Sequence, residues 1–508
     1  MERHRALASP PVNLATIIDQ HPGEATALIS RGRVTDYATL RSQVAGLRGS
    51  LVEMGLQPGD RLAIIAGNNW YFVVSYLAAL GAGLVAVPLN PTNPAAAMAH
   101  ELRDSGAAAI VATPTARNAL RDIDWSTLPD VQHFMGAGFE PGPLGLLLDD
   151  LLDHEPAPVV DRGPDDLAVL IFTSGTAGAP RPAMLTHGNL YTNIRQVMAS
   201  DERVQEPDDV VFGLLPMFHI FGLNVILGVA LTAGASILLV ERFDPVSAIE
   251  SIVKHEVTTI AGPPTMWAAF AGLPGVTGDE LSSVRRAVSG AAKLPVEVAQ
   301  AIQARFGLEL EEGYGLTEAS PVVTAPISGV TPAGSVGIPV PGVEVRLIDA
   351  EGHDVLVGDH GELLVKGPNV FAGYWNDPDA TARVLTDDGW LRTGDVGVVD
   401  DEGNLYLVDR AKDLIIVSGF NVFPAEVEEV LLEHPAIEGV AVVGVPHPHT
   451  GESVKAYVKA RDGMPIEEDD VIEFCAERLP HYKCPNKVWF VEDIPRGLGG
   501  KVIRRLLS

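Results

Sequence analysis

The chain predicts an α/β fold. Its large N-terminal domain would stack mainly parallel sheets under helices and carry a β-rich subdomain. A small α+β domain would follow. Three observations predict this. Solid apolar runs, RLAIIA at 61–66, AAAIVA at 107–112 and LAVLIF at 167–172, alternate with helical patterns such as 37–54. Strands apolar on both faces belong in parallel sheets covered on both sides. After about Ala333 the texture changes to period-two alternation, VEVRLI at 343–348 and GELLVK at 361–366, which reads as half-exposed strands. Finally, a charged break, DRAKD at 409–413, separates LYLV from LIIV. The domain boundary is placed there, giving 1–409 and 410–508. The second unit should hold a helix near 425–432 and strands near 440–445 and 454–459.

Two segments imitate membrane spans, since 70–90 and 220–240 carry no charge. Each breaks at glycine, LGAG in one and TAGA in the other, and then runs into LVAV or SILLV. The pattern predicts helix, glycine turn and buried strand, twice. It also hints at two related α/β halves.

The 508 residues suffice for two to four domains with large cores, and the formal charge is −30. Nucleic acid is an unsuitable partner for such a chain. A bare anionic membrane is disfavoured too, although Arg496, Lys501, Arg504 and Arg505 crowd the C-terminus and leave peripheral membrane contact open. Two cysteines, Cys475 and Cys484, cannot staple a chain this long, so a reducing cytoplasm is the expected compartment. The first residues show no apolar core of a signal peptide.

The most informative stretch is 171–187, IFTSGTAGAPRPAMLTH. A buried strand runs into Thr173, Ser174, Gly175, Thr176, Ala177 and Gly178. The loop offers three hydroxyls and glycines that admit close backbone approach to an anion, and Arg181 adds a positive charge. This suits a polyphosphate. It is not a Walker A loop, since no Gly-Lys-Ser/Thr comes after it. Further along come LPMFHIFG at 215–222, SGAA at 289–292, EGYGLTE at 312–318, WLRTGD at 390–395, Arg410, SGFNVFPAEVE at 418–428 and GGKVIR at 499–504. Taken singly, each has an ordinary structural reading: a turn aromatic at Tyr314, a core histidine at His219, a turn cap at Asp395, a surface lysine at Lys501.

Together and in this order, from about residue 20 to the C-terminus, these motifs closely resemble the adenylate-forming superfamily. That group contains acyl-CoA synthetases, peptide-synthetase adenylation domains and luciferases, and the nearest look is to long-chain fatty acid–CoA ligases. The resemblance implies that Thr173, Ser174, Gly175, Thr176 and Gly178, with Arg181, wrap the β- and γ-phosphates of ATP. Tyr314 would stack on adenine, with Gly290, Ala291 and Gly313 along its edge. Thr317 would contact the α-phosphate and Glu318 would hold Mg²⁺. Asp395 would accept hydrogen bonds from the ribose, assisted by Arg410. Lys501 would bridge the acid's carboxylate and the α-phosphate, and His219 would stand as a gate between acyl pocket and nucleotide. The small domain would be mobile, turning about Lys412 to bring Ser418, Gly419 and Phe420 beside the pantetheine of CoA.

The implied reaction joins a fatty or other hydrophobic carboxylic acid to CoA at the expense of ATP. A homodimer is compatible with it. The acyl pocket would border the apolar helix 221–231 and Thr265, Met266 and Trp267; Gly222 and Gly228 would either leave room for an alkyl chain or serve helix packing. Two alternatives stay open: transfer of the acyl group to a carrier protein, and a non-catalytic acyl- or nucleotide-binding homologue. The latter is motivated by departures. Ala177, Arg181 and Pro182 stand where the family usually has Thr, Lys and Gly, and Arg496-Gly497-Leu498-Gly499-Gly500 precedes Lys501.

Overall fold

The computed structural model describes residues 13–508, except 143–144, 174–179, 202–204, 328–330, 411–412, 414, 418–419, 448–450, 480, 497–501 and 508. Two seven-stranded sheets form the body of the N-terminal domain. The first runs Leu310–Glu312, Arg286–Ser289, Thr259–Gly262, Val210–Gly213, Ser236–Leu239, Thr26–Ser30 and Arg33–Asp36. The second runs Leu146–Leu147, His133–Gly136, Ala107–Ala112, Arg61–Ile65, Val85–Leu89, Leu167–Thr173 and Arg181–Thr186. In each, neighbours pair in parallel until the final strand, which turns back antiparallel. The two halves hinted at by the repeated helix–glycine–strand pattern thus share one design.

Both span-like segments resolve as expected. Trp70–Gly81 is a helix capped by Asn69, whose Oδ1 accepts from the Phe72 amide at 3.1 Å, and the strand Val85–Leu89 comes next. Phe221–Val229 is a π-helix that passes into Ala230–Ala233, stops at left-handed Gly234 (φ +83°) and leads into Ser236–Leu239. Both helices are apolar nearly all round because they share one core with strands of both sheets, where Leu28 and Ile237 meet Leu62 and Val169. Among the described residues no helix is long and apolar enough to cross a membrane. A Cβ on Gly222 would stand 2.2 Å from the Pro216 carbonyl oxygen, and one on Gly228 would stand 2.8 Å from Ile194 Cδ1. These two glycines therefore serve close packing.

The β-rich subdomain is a four-stranded antiparallel sheet, Glu344–Ile348, Gly361–Lys366, Leu391–Val399 and Leu405–Arg410. Its last strand ends at Arg410, and the next sheet begins with Ile415–Val417. That sheet also holds Phe420–Val422, Ile437–His447, Gly451–Ala460 and Lys487–Phe490, and it packs the helices Pro424–Leu432 and Glu468–Ala476 around a core of its own. Cys475 and Cys484 lie in that core as free thiols. The small unit touches the large one through an ion pair between Lys293 and Glu429 and through stacking of His360 on Phe423 at 5.2 Å.

Candidate active site

In a parallel sheet, the loops at the carboxyl ends of the strands converge on one edge, which is where such folds bind ligands. Here Gly262, Ser289 and Glu312 end three adjacent strands and stand in register, side by side. The segments beyond Ser289 and Glu312 carry the chemistry singled out in the sequence. Gly290 and Ala291 continue from Ser289, with the Gly290 amide donating to the Gly262 carbonyl at 3.2 Å and Ala291 in the left-handed region (φ +69°). Gly313 and Tyr314 continue from Glu312. Gly290 has to be small: a Cβ would stand 2.6 Å from Cε1 of Phe221, whose ring lies against it.

One strand over, Gly213 leads into the segment 214–219. Asn68, 3 % exposed, reaches across from the second sheet and donates Nδ2 to the carbonyls of Gly213, Leu214 and Leu215 at 2.8–3.0 Å. Its Oδ1 accepts from the Met217 amide at 2.9 Å. This staple fixes the loop that presents His219. The His219 ring is open to solvent yet sits deep among protein atoms, as a group lining a crevice does. Desolvation there lowers its pKa below the ordinary imidazole value, which disfavours the charged form of the ring.

Tyr314 donates its hydroxyl to Asp395 Oδ2 at 2.6 Å, with both residues buried. The aromatic of one motif and the carboxylate of another, 81 residues apart, are thus one unit. Asp395 lies just past Gly394 (φ +69°), and its own amide donates to Thr393 Oγ1 at 3.1 Å. Strand register sets Arg410 directly opposite Asp395.

Thr317 and Glu318 occupy a short 3-10 turn, Thr317–Ala319. Glu318 Oε1 accepts from the Tyr374 hydroxyl at 2.6 Å. The segment carrying Tyr374 is pinned to the strand Arg181–Thr186: the Met184 amide donates to the Gly373 carbonyl at 2.9 Å, and the Trp375 amide to the Pro182 carbonyl at 2.8 Å. Glu318 is thereby tied to the hairpin formed by Leu167–Thr173 and Arg181–Thr186, in which Thr173 pairs with Arg181. Arg181 Nε donates to Asp377 Oδ2 at 3.0 Å, so its charge is shared with a carboxylate.

His219, Gly290, Ala291, Gly313, Tyr314, Thr317, Glu318, Asp395 and the backbone of Arg410 therefore gather from distant segments, with Thr173 and Arg181 tethered to them through Tyr374. Ser174, Gly175, Thr176, Gly178, Lys412, Ser418, Gly419 and Lys501 lie outside the described residues, while Phe420 opens the strand Phe420–Val422. Of the three residues expected beside the acyl pocket, Met266 and Trp267 are closed in the core and Thr265 reaches solvent. Asn68, Tyr374 and Asp377 are not among the residues the sequence points to, and Phe221 enters there only within the motif at 215–222 and as the start of the helix 221–231. Tyr374 lies in no such motif, and nothing local announces partners 56 residues or more away.

The family model described as AMP-binding enzyme matches residues 14–375, and the AMP-binding enzyme C-terminal domain matches 426–501. A long-chain-fatty-acid–CoA ligase of Bacillus subtilis (strain 168) is 35 % identical, over 95 % of this chain and 91 % of that one. A feruloyl-CoA synthase of Amycolatopsis sp is 37 % identical, over 99 % and 98 %. ATP-bound MatB from Rhodopseudomonas palustris superposes with a TM-score of 0.89 at 33 % identity, covering 98 % of each chain.

Proposed function

Since the chain belongs to the AMP-binding enzyme family and is an AMP-forming acid–thiol ligase, we propose that it activates a long- or medium-chain fatty acid with Mg-ATP and passes the acyl group to coenzyme A. The observation that carries the reading is the meeting, at one sheet edge, of the Gly290–Ala291 turn, the Tyr314–Asp395 pair and the Thr317–Glu318 turn. The hydrophobic character of the acid is supported by the surroundings of His219 and Thr265. Neither 214–240 nor 257–278 contains an Asp, Glu, Lys or Arg, so no side chain of these stretches would pair with a second charge on the acyl group. The Bacillus subtilis relative supports the fatty-acid reading.

In this reading adenine stacks on Tyr314 beside Gly290, Ala291 and Gly313, and the ribose hydroxyls donate to Asp395 near Arg410. Thr173, Ser174, Gly175, Thr176, Gly178 and Arg181 receive the outer phosphates. A carboxylate oxygen of the acid forms a bond to the α-phosphorus, and the bond from that phosphorus to the pyrophosphate oxygen breaks. The nucleophile is already ionised near neutral pH, so no general base is needed. Lys501 offsets the repulsion between the two anions and Thr317 steadies the α-phosphate. Mg²⁺ fits the donor set: among the described residues Glu318 presents a carboxylate with Tyr374 bonded to one oxygen only, and no cage of three ligands exists. That suits an ion that shares its shell with phosphates. When bound, it would neutralise charge on the leaving pyrophosphate.

The small domain, taken as 410–508, then turns about Lys412, and Ser418, Gly419 and Phe420 border the thiol's path. Sulfur bonds to the acyl carbon, the bond from that carbon to the AMP oxygen breaks, and the thiol proton passes to solvent. A second reading takes an arylpropenoic acid such as ferulate. It is favoured by the flat Phe221 ring laid on Gly290 and by the Amycolatopsis relative.

The test incubates the protein with ATP, Mg²⁺ and either hexadecanoate, octanoate or ferulate, with and without CoA. Thioester and AMP should form with the alkanoates only when CoA is present. Preference for ferulate selects the second reading. AMP release unaffected by CoA, with no thioester, sinks both.

A further inference from the structure

The turn that carries Thr317 and Glu318 does not hold its own shape. It is one 3-10 turn long and ends at Ser320 with φ +69°, a backbone conformation that a residue with a side chain keeps only when its surroundings over-determine it. The surroundings are three asparagines from three different elements, exposed by 0, 2 and 0 %. Asn193 comes from the helix His187–Ser200, Asn224 from the π-helix Phe221–Val229, and Asn369 from the loop after the strand Gly361–Lys366. Asn369 Nδ2 donates to the Ala319 carbonyl at 2.8 Å. Asn224 Nδ2 donates to the Ser320 carbonyl at 2.7 Å and to the Leu190 carbonyl at 3.1 Å. Asn193 takes both backbone groups of Val322, accepting from its amide at 3.0 Å and donating to its carbonyl at 2.8 Å.

We propose that Asn193, Asn224 and Asn369 are positioning residues, which set the direction in which Thr317 and Glu318 face the nucleotide. The proposal rests on reading those two residues as nucleotide-contacting. Buried carbonyls always need donors, and amides elsewhere in the core meet that need. What separates this set is convergence: the carbonyls of 319 and 320 and both backbone groups of 322, just beyond Glu318, are taken by asparagine side chains. Glu318 itself is held by the Phe371 amide on its carbonyl, at 2.9 Å, and by Tyr374 on its carboxylate. Loosening the asparagines lets the turn relax from its left-handed end, and Glu318 swings with it. Asn224 also lies three residues after Phe221, so one rigid helix touches both the Gly290 turn and the Glu318 turn.

The experiment uses full-length protein and separates the two half-reactions. Pyrophosphate release from hexadecanoate and ATP reports adenylation; thioester formation from supplied hexadecanoyl-AMP and CoA reports transfer; calorimetry reports Mg-ATP binding. Asn224→Ala should lower kcat for adenylation at least ten-fold and weaken Mg-ATP binding at least three-fold, leaving transfer within two-fold. Asn224→Ser, which keeps one donor, should recover part of the loss. Equal losses in both half-reactions, or unchanged adenylation, overturn the proposal. Should Asn224→Ala fail to fold, Asn193→Ser is read by the same criteria. Glu318→Gln separates the premise from the inference. Full adenylation in that variant removes the reading of Glu318. Lost adenylation there, beside full adenylation in Asn224→Ala, removes only the asparagine clamp.

Discussion

Replacing Tyr314 by phenylalanine removes one hydroxyl and keeps the ring that adenine would stack on. The hydroxyl donates to Asp395 Oδ2 at 2.6 Å, with donor and acceptor residues 9 % and 7 % exposed, so water has little access to replace it. A hydrogen bond to a charged group in such a place contributes about 1.5–3 kcal/mol. If the bond preorganises Asp395 for the ribose, that energy is expressed in nucleotide use, and a loss of about 1.4 kcal/mol already means ten-fold. Tyr314→Phe should therefore lower kcat/KM for ATP by roughly ten-fold or more, with KM for the acid unchanged. The assay is steady-state pyrophosphate release at varied ATP, repeated in an Asp395→Asn background. There the partner charge is gone, and Tyr314→Phe should cost less than about 0.5 kcal/mol, the spread within which independent sites add. If the two substitutions simply multiply, the bond carries no functional energy and the reasoning fails.

Other outcomes rest on the same geometry. Gly290→Ala places a Cβ 2.6 Å from Phe221 Cε1, an overpacking of about 1–3 kcal/mol; KM for the acid should rise, and adding Phe221→Leu should restore it, whereas no recovery would separate Phe221 from the acyl side. Burial raises the Glu312 carboxyl from 4.5 to about 7, against the Leu294 amide and Lys293, which pull it down. Between those pH values the unfolded chain is ionised while the folded one holds its proton, so stability falls as pH rises through the window, by at most about 3 kcal/mol. Glu312→Gln should melt higher than the parent above pH 7 and alike at pH 4; equal melting at both denies the shift. Arg181→Lys with Pro182→Gly restores the usual pattern of the family and removes the Nε donor to Asp377; a changed kcat for adenylation is expected, and an unchanged one shows that this departure does not tune turnover. Lys501→Ala should abolish adenylation far more than thioester formation from supplied acyl-AMP, and equal losses would end that division of labour.

Sequence alone determined what depends on local pattern. Apolar runs and glycine breaks marked the parallel strands and the two buried helices, because a strand covered on both faces has no polar residue to spare. Motif order marked Gly290, Tyr314, Glu318 and Asp395. The tertiary structure decided what distant segments do to one another. It joined Tyr314 to Asp395 and Glu318 to Tyr374 across 81 and 56 residues, and tied Arg181 to Asp377 across 196. It made packing contacts of Gly222 and Gly228, and closed Met266 and Trp267 into the core. It also brought together three asparagines that no motif contained. The physical reason is the same in each case. Hydrophobic periodicity and turn chemistry are written in neighbouring residues, whereas a hydrogen bond between buried side chains exists only once sheet order and register have brought two remote segments to the same edge.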